Sequence, residues 1–226
     1  MISSLPKWIE SGAFVLAFVA GFINAVGLIS LDGQALSHLS GSVTLLGASF
    51  LDASLQDNLK LAGVILSFLL GAILSGILLH SHTLKLGHHY GFALVVEAVL
   101  ILVAIYLFSI GSYYGCYAAS TACGVQNALA TKYSGAIVRT THMTGIFTDL
   151  GILFGSALRG EPFDKRKLVL FLLIIAGFIF GGSVGTYLFQ VYGFNALYIP
   201  AGMCLILAFV YTLYSKRHHL ITAERI

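Results

Sequence analysis

The sequence predicts an all-α, polytopic membrane protein built from two tandem copies of one hydrophobic unit. Three observations carry this. Charged residues make up 9% of the 226 residues and apolar ones 58%, with a mean hydropathy of +0.93. Soluble domains carry about 25% charged residues, so this chain has too few to cover a water-facing surface. Apolar stretches recur along its length, most of them near the roughly 20 residues that a bilayer-spanning helix needs. The polar residues inside those stretches appear twice, in the same order.

Eight apolar elements are expected, at about 12–31, 41–55, 61–80, 91–110, 113–131, 144–158, 167–190 and 195–215. The first follows Lys7, Trp8 and Glu10 and lacks a small-residue cleavage site, so it reads as a retained helix rather than a signal peptide. It holds Gly21-Phe22-Ile23-Asn24-Ala25. The second is short and polar, opened by His38-Leu39-Ser40-Gly41-Ser42-Val43-Thr44. The third carries Gly71 and Gly76, and the fourth Glu97. The fifth repeats the first with Gly124-Val125-Gln126-Asn127-Ala128. The sixth repeats the second with His142-Met143-Thr144-Gly145-Ile146-Phe147-Thr148, followed by Asp149. The seventh carries Gly177 and Gly182 at the spacing of Gly71 and Gly76, and an apolar eighth closes the chain. The offset stays between 103 and 106 residues across three consecutive elements. Chance likeness between apolar segments would match Leu and Ala, not Asn, His, Thr and Gly in order. The expected units are 1–112 and 113–226, together one transmembrane domain.

These motifs resemble the YoaK family of bacterial multi-pass membrane proteins (domain of unknown function 1275). That pattern has an early Gly-x-x-Asp/Asn-Ala, a His-Met-Thr-Gly-Asn-like motif, then Gly-x-Gln-Asn-Ala and Thr-Thr-x-x-Thr-Gly. Here they stand as Gly21 to Ala25, Ser37 to Ser42, Gly124 to Ala128 and Thr140-Thr141-His142-Met143-Thr144-Gly145. Ser40 replaces the usual Thr and Ser42 the usual Asn, which leaves open whether the two copies are chemically equivalent. The resemblance implies a bacterial inner (cytoplasmic) membrane location, and no activity.

Two threadings compete. If all eight elements span, nine Lys and Arg lie on one side, and Lys85, Lys132 and Arg139 on the other. If elements two and six only dip in and return, Lys60 alone opposes the other eleven. The positive-inside rule favours this second threading, with six spanning helices, two short re-entrant ones and both termini cytoplasmic. Three spans per unit make the copies inverted, a recurrent transporter design with a midplane site. Segments 34–39 and 136–143 are the candidate non-helical backbone, permitted at membrane depth where it lines a cavity.

The candidate site follows from the short helices. Ser40 and Thr144 suit N-caps, and Gly41 and Gly145 permit close approach. Two helix N-termini facing the midplane suit an anion or a carbonyl-bearing solute. His38 and His142 could donate to a solute or relay a proton, and Thr44 and Thr148 follow them at matched places. Asn24, Gln126 and Asn127 could line a pathway or tie helices together. Asp149 and Glu97 are ionisable groups inside apolar segments and are candidates for proton coupling. Arg139 could bind an anion, pair with Asp149 or lie in a cytoplasmic loop. Cys116, Cys123 and Cys204, odd in number and without metal spacing, read as packing residues. The loosely spaced His80, His82, His88 and His89 are a weak metal signal, and His218 and His219 look like a headgroup-contacting tail.

The expected function is secondary transport of a small polar or anionic solute, proton-coupled through Asp149 or Glu97. An ion channel is the alternative within transport. A membrane-embedded enzyme using His142 and Asp149 as acid and base is the alternative from another class. The expected partners are the lipid bilayer, a small solute or ion, and further copies of the chain. The net charge of +3 sits in short loops and does not point to nucleic acid, and no motif calls for a cofactor or a metal.

Overall fold

The computed structural model describes residues 8–30, 36–50, 54–79, 88–134 and 138–223. They form eight α-helices: α1 (Trp8–Ser30), α2 (Leu39–Ser49), α3 (Leu55–Leu78), α4 (His88–Ser109), α5 (Tyr114–Tyr133), α6 (Met143–Leu158), α7 (Lys165–Tyr192) and α8 (Tyr198–Ala223). A 3-10 turn, Gly193–Leu197, joins α7 to α8, and no strand occurs among the described residues. Each expected element has its helix. The histidines at 80 and 82, with Lys7, Lys85 and Arg225, lie outside the described residues, as do the side chains of His88, His89, Lys216, Arg217, His218 and His219.

Local chemistry sets the helix ends. Ser54 caps α3 by accepting from Asp57 N–H at 3.2 Å, and Asp164 caps α7 by accepting from the amides of Arg166 and Lys167. At the end of α4, Gly111 has φ 70°, and Gly111 and Ser112 donate back to Phe108 and Leu107. That left-handed termination favours glycine, and it turns the chain directly into α5. Four stretches are long and apolar enough to cross a membrane: Ile9–Ser30, Leu55–Leu78, Tyr90–Ser109 and the run Lys165–Tyr214. The helix α5 is not among them. Ser120, Thr121, Gln126, Asn127 and Lys132 interrupt it, and it sits inside the bundle, with Ser120 and Gln126 fully buried. Large apolar side chains such as Leu69, Ile73, Ile179 and Phe209 face outward, as lipid contact requires.

The packing rests on small residues. α1 lies along α7 and α3 along α5. A Cβ placed on Gly21 would collide with the Phe178 carbonyl, and one on Gly181 with the Phe18 carbonyl. In the other pair, Gly124 meets the Phe68 carbonyl and Gly71 the Thr121 carbonyl. Both crossings therefore bring backbone against backbone through a reciprocal pair of glycines, the close approach that membrane helices use in place of a hydrophobic driving force. Gly76 has nothing near it and Gly182 only ordinary contact, so of the glycines matched in spacing Gly71 and Gly177 pack against backbone, with Gly181 and Gly185 beside Gly177.

The contacts also fix helix directions. Gly177, Gly181 and Gly185 meet Phe14, Phe18 and Phe22 in turn, so α1 and α7 run parallel. Gly63 meets Tyr117 and Lys132 donates to the carbonyls of Gly76 and Leu79, so α3 and α5 also run parallel. α4 runs antiparallel to both α5 and α8. Phe108 meets Gly115 while Glu97 adjoins Cys123, and Gly91 meets Thr212 while Glu97 adjoins Cys204. The short turn reverses α7 into α8. Hence α1, α4 and α7 point one way and α3, α5 and α8 the other. α3 opposes α1 although α2 lies between them, and α7 opposes α5 although α6 lies between them.

Candidate functional site

Two short helices begin inside the bundle, each held there by buried hydrogen bonds. Before α2, the Ser37 amide and hydroxyl both donate to Asn24 Oδ1, at 3.2 and 2.9 Å. The Leu36 carbonyl accepts from Ser120 Oγ of α5, which also donates to Val64 O of α3. Asn24 precedes the end of α1, so the chain has turned back into the protein before α2 starts. The far end of α2 is tied to α3 by Ser49 and Asn58, whose side chains bond at 2.7 Å. Before α6, Val138 N–H donates to Ser134 Oγ at 2.7 Å, and Ser134 donates to Ala130 O at the end of α5. Val138, Thr140 and Thr141 are buried, so this chain too re-enters before its helix begins.

The two starts share one local conformation. His38 has φ −101° and ψ 73°, and His142 has φ −90° and ψ 61°. These histidines, not Ser40 and Thr144, occupy the N-cap positions, and neither cap is made by a side chain. The expected hydroxyl caps are thus corrected: the backbone is already helical at Leu39 and Met143, which leaves Ser40 and Thr144 inside the first turn. The His38 carbonyl accepts from the amides of Gly41 and Ser42, and the His142 carbonyl from Ile146. Thr44 and Thr148 instead donate back to the carbonyls of Ser40 and Thr144, at 2.8 and 2.9 Å. Each imidazole folds over its own first turn. A Cβ on Gly41 would stand 2.9 Å from His38 Nδ1, and one on Gly145 would overlap the His142 ring. The glycines make room for the histidines, and no capping hydroxyl consumes the first-turn amides.

Both starts open on one cavity of about 450 Å³. The first half of the chain contributes Ser37, His38, Leu39, Ser40 and Phe68; the second half contributes Asn127, Thr131, Arg139, Thr141, His142, Met143 and Thr144. A second cavity of about 470 Å³ shares Arg139, His142 and Thr144 and continues past Gly145, Thr148 and Asp149 to Phe171 of α7. The cavity region leaves polar atoms without partners: Asn127 Oδ1 on the wall, Thr140 Oγ1 beside it and Gln126 Oε1 on the same helix. Gln126 Nε2 donates to Leu16 O at 2.8 Å, which ties α5 to α1.

The fourteen candidate residues thus divide. His38, Ser40, Asn127, Arg139, His142 and Thr144 line the first cavity; Gly145, Thr148 and Asp149 line the second. Asn24, Gly41, Thr44 and Gln126 line neither cavity. Arg139 and Asp149 share a wall, but no ion pair joins them among the described residues. Glu97 lines neither cavity. It is fully buried among α4, α5 and α8, its oxygens without an N–H or O–H donor and beside the Cys204 thiol. Among the described residues no three His, Cys, Asp or Glu are grouped to hold a metal. Ser37, Phe68, Thr131 and Thr141 were not among the candidates. Ser37 and Thr141 stand at matched places one residue before the histidines, a signal the repeat alignment contained.

A family model described as "Protein of unknown function (DUF1275)" matches residues 12–210. No curated protein and no solved structure matches the chain.

Proposed function

The chain belongs to the DUF1275 family, and from that premise we propose that this membrane protein is a secondary transporter of a small polar or anionic solute, with its site in the cavity shared by the two His-x-Ser/Thr-Gly motifs. The observation that carries the proposal is the convergence of two re-entrant helix starts on that cavity. Such paired half-helices, with open amides around a central site, are what alternating access uses. The second cavity, sharing Arg139, His142 and Thr144, supplies a route from the site along α6.

The transport architecture is two inverted repeats, 1–112 and 113–226, with six spanning helices and α2 and α6 re-entrant. Opposed directions of α1 and α3, and of α5 and α7, support this, because a full crossing by α2 or α6 would make each pair parallel. At 1.5 Å per residue the 11 residues of α2 reach about 16 Å, against a core of about 30 Å. The reciprocal glycines support the duplication with a refined register: Gly21 answers to Gly124, and Gly71 to Gly181, one turn beyond Gly177. Lys132, Arg159, Lys165, Arg166 and Lys167 then stand at one end of the bundle and Lys60 at the other. That asymmetry favours cytoplasmic termini in a bacterial inner membrane. Asp149, on the route, is the coupling group in preference to Glu97, which lines neither cavity.

The test is solute flux in proteoliposomes with the His142→Ala protein as control. Flux present in the native protein and lost in the variant supports transport through this cavity. Turnover of a solute without net movement across the membrane would favour the enzyme reading instead.

A further inference from the structure

We infer that the cavity selects a small hydroxylated organic anion, of the hydroxycarboxylate class. This deepens the transport reading and rests on the same cavity. Charge comes first. Among the described residues Arg139 is the one charged side chain on the wall of the 450 Å³ cavity, and no described carboxylate lines it. Two helix N-termini add positive potential from opposite sides, with the amides of Leu39, Ser40, Met143 and Thr144 outside the intrahelical ladder. An organic cation would meet three sources of like potential and no counter-charge.

A helix terminus alone is a weak argument, and the buried side chains supply the independent one. Thr141 is 7% exposed, lies on the wall and makes no side-chain hydrogen bond among the described residues, so its hydroxyl can donate to an oxyanion. Arg139 makes no ion pair among the described residues, so its guanidinium is free for a carboxylate, which it can meet with two parallel N–H bonds. Asn127 Oδ1 is a buried acceptor with no donor. A bare carboxylate or halide cannot satisfy it, whereas a solute carrying an O–H can. A zwitterionic amino acid fits less well, because among the described residues no acidic side chain on the wall answers its ammonium. Phe68, Leu39 and Met143 leave the remaining wall to a short carbon chain.

The experiment is thermal unfolding of the purified full chain in a neutral detergent. Sodium glycolate, L-lactate and D-gluconate are compared with acetate, propionate and hexanoate, and with choline chloride, at matched ionic strength. The expected result is saturable protection by at least one hydroxylated anion, stronger than by its deoxy partner, and none by choline. Arg139→Gln should weaken that protection about tenfold or more and Arg139→Lys less, because the point charge survives but the fork does not. Thr141→Val serves as the second variant and should weaken it without the loss of charge. Protection by choline, or by no anion in the panel, overturns the inference, as does equal protection by the deoxy anions. Protection unchanged in Arg139→Gln also overturns it. A phosphatidylglycerol arm beside free glycerol phosphate separates the sources of a hydroxylated anion, and protection by the lipid alone would reassign the cavity to a headgroup. Because binding is read without flux, protection with no transport leaves the ligand class standing and rejects the carrier reading. Flux of an uncharged solute without anion protection does the reverse.

Discussion

Replacing Gly181 and Gly76 by Ala, one at a time, should change stability in opposite directions, although both are helical glycines in an apolar bundle. At Gly181 the new methyl would overlap the Phe18 carbonyl oxygen and stand 2.7 Å from its carbon and 2.8 Å from Phe18 Cα. Carbon atoms pack at about 3.5–4.0 Å, so α1 and α7 must separate by roughly 0.7–1 Å. The obstacle is backbone on both sides and no rotamer relieves it. A gap of that size forfeits roughly a quarter to a half of each affected dispersion contact. Overpacking of this kind costs about 1–3 kcal/mol, and the upper end applies here, partly offset by about 1 kcal/mol of helix propensity gained by Ala. The net expectation is a loss of about 2 kcal/mol. At Gly76 nothing lies within 4 Å, so only the propensity gain of up to about 1 kcal/mol remains. For a chain of this size the two variants should differ by roughly 6–12 °C in apparent melting temperature, read under one scan rate in one detergent. Equal melting temperatures, or a lower one for Gly76→Ala, would refute the backbone contact between α1 and α7.

Three further expectations follow from the site and its supports. Asn24→Leu removes the acceptor of both Ser37 donors and should cost about 2–4 kcal/mol of stability; a variant that melts with the native protein would show that Asn24 does not anchor the segment before α2. Asp149→Asn keeps size but not the titratable charge, so pH-driven accumulation should vanish while exchange between equal compartments persists; accumulation at the native level would remove Asp149 from coupling. In a cysteine-free background, a cysteine at position 112 should react with an impermeant reagent added outside and one at 161 should not. The reverse pattern would invert the orientation, and equal labelling of both would restore eight spans.

The helices and the duplicated motifs were legible because their signals are local: a run of apolar residues, and polar residues in repeated order. Helix termini were less so. The spacing made Ser40 and Thr144 look like caps, but the preceding imidazole lies over Gly41 and Gly145 and the helix begins one residue before each hydroxyl. Gly71 and Gly76 matched Gly177 and Gly182 in spacing, yet what decides packing is which face of the helix meets a carbonyl, and Gly76 and Gly182 make no such close contact. Glu97 and Asp149 read alike in the sequence, each an acid in an apolar segment. Only the arrangement of α4, α5 and α8 around Glu97 separates it from the cavity. Asn24 and Asn127 occupy matched positions, and the first is bonded to Ser37 whereas the second has a free oxygen. The matched motifs made them candidates together, and the Ser37 partner of Asn24, far beyond its own helical turn in sequence, made them different.

The pairing of α1 with α7 and of α3 with α5 has a consequence for the order in which the protein can be made. About 134 residues separate the end of α1 from the start of α7. At roughly 5–20 residues per second, α1 waits some 7–27 s in the bilayer for its main neighbour. During that interval the Gly21 face, shaped to touch another backbone, has only lipid against it. Ser120, which holds Leu36 in place, arrives only with the second half, so the segment before α2 lacks its buried anchor until α5 has been inserted. The halves therefore cannot mature one after the other like beads on a string. A ribosome stalled after α4 would leave a chain with every sequence feature of repeat one and no finished pocket, a natural substrate for membrane proteases.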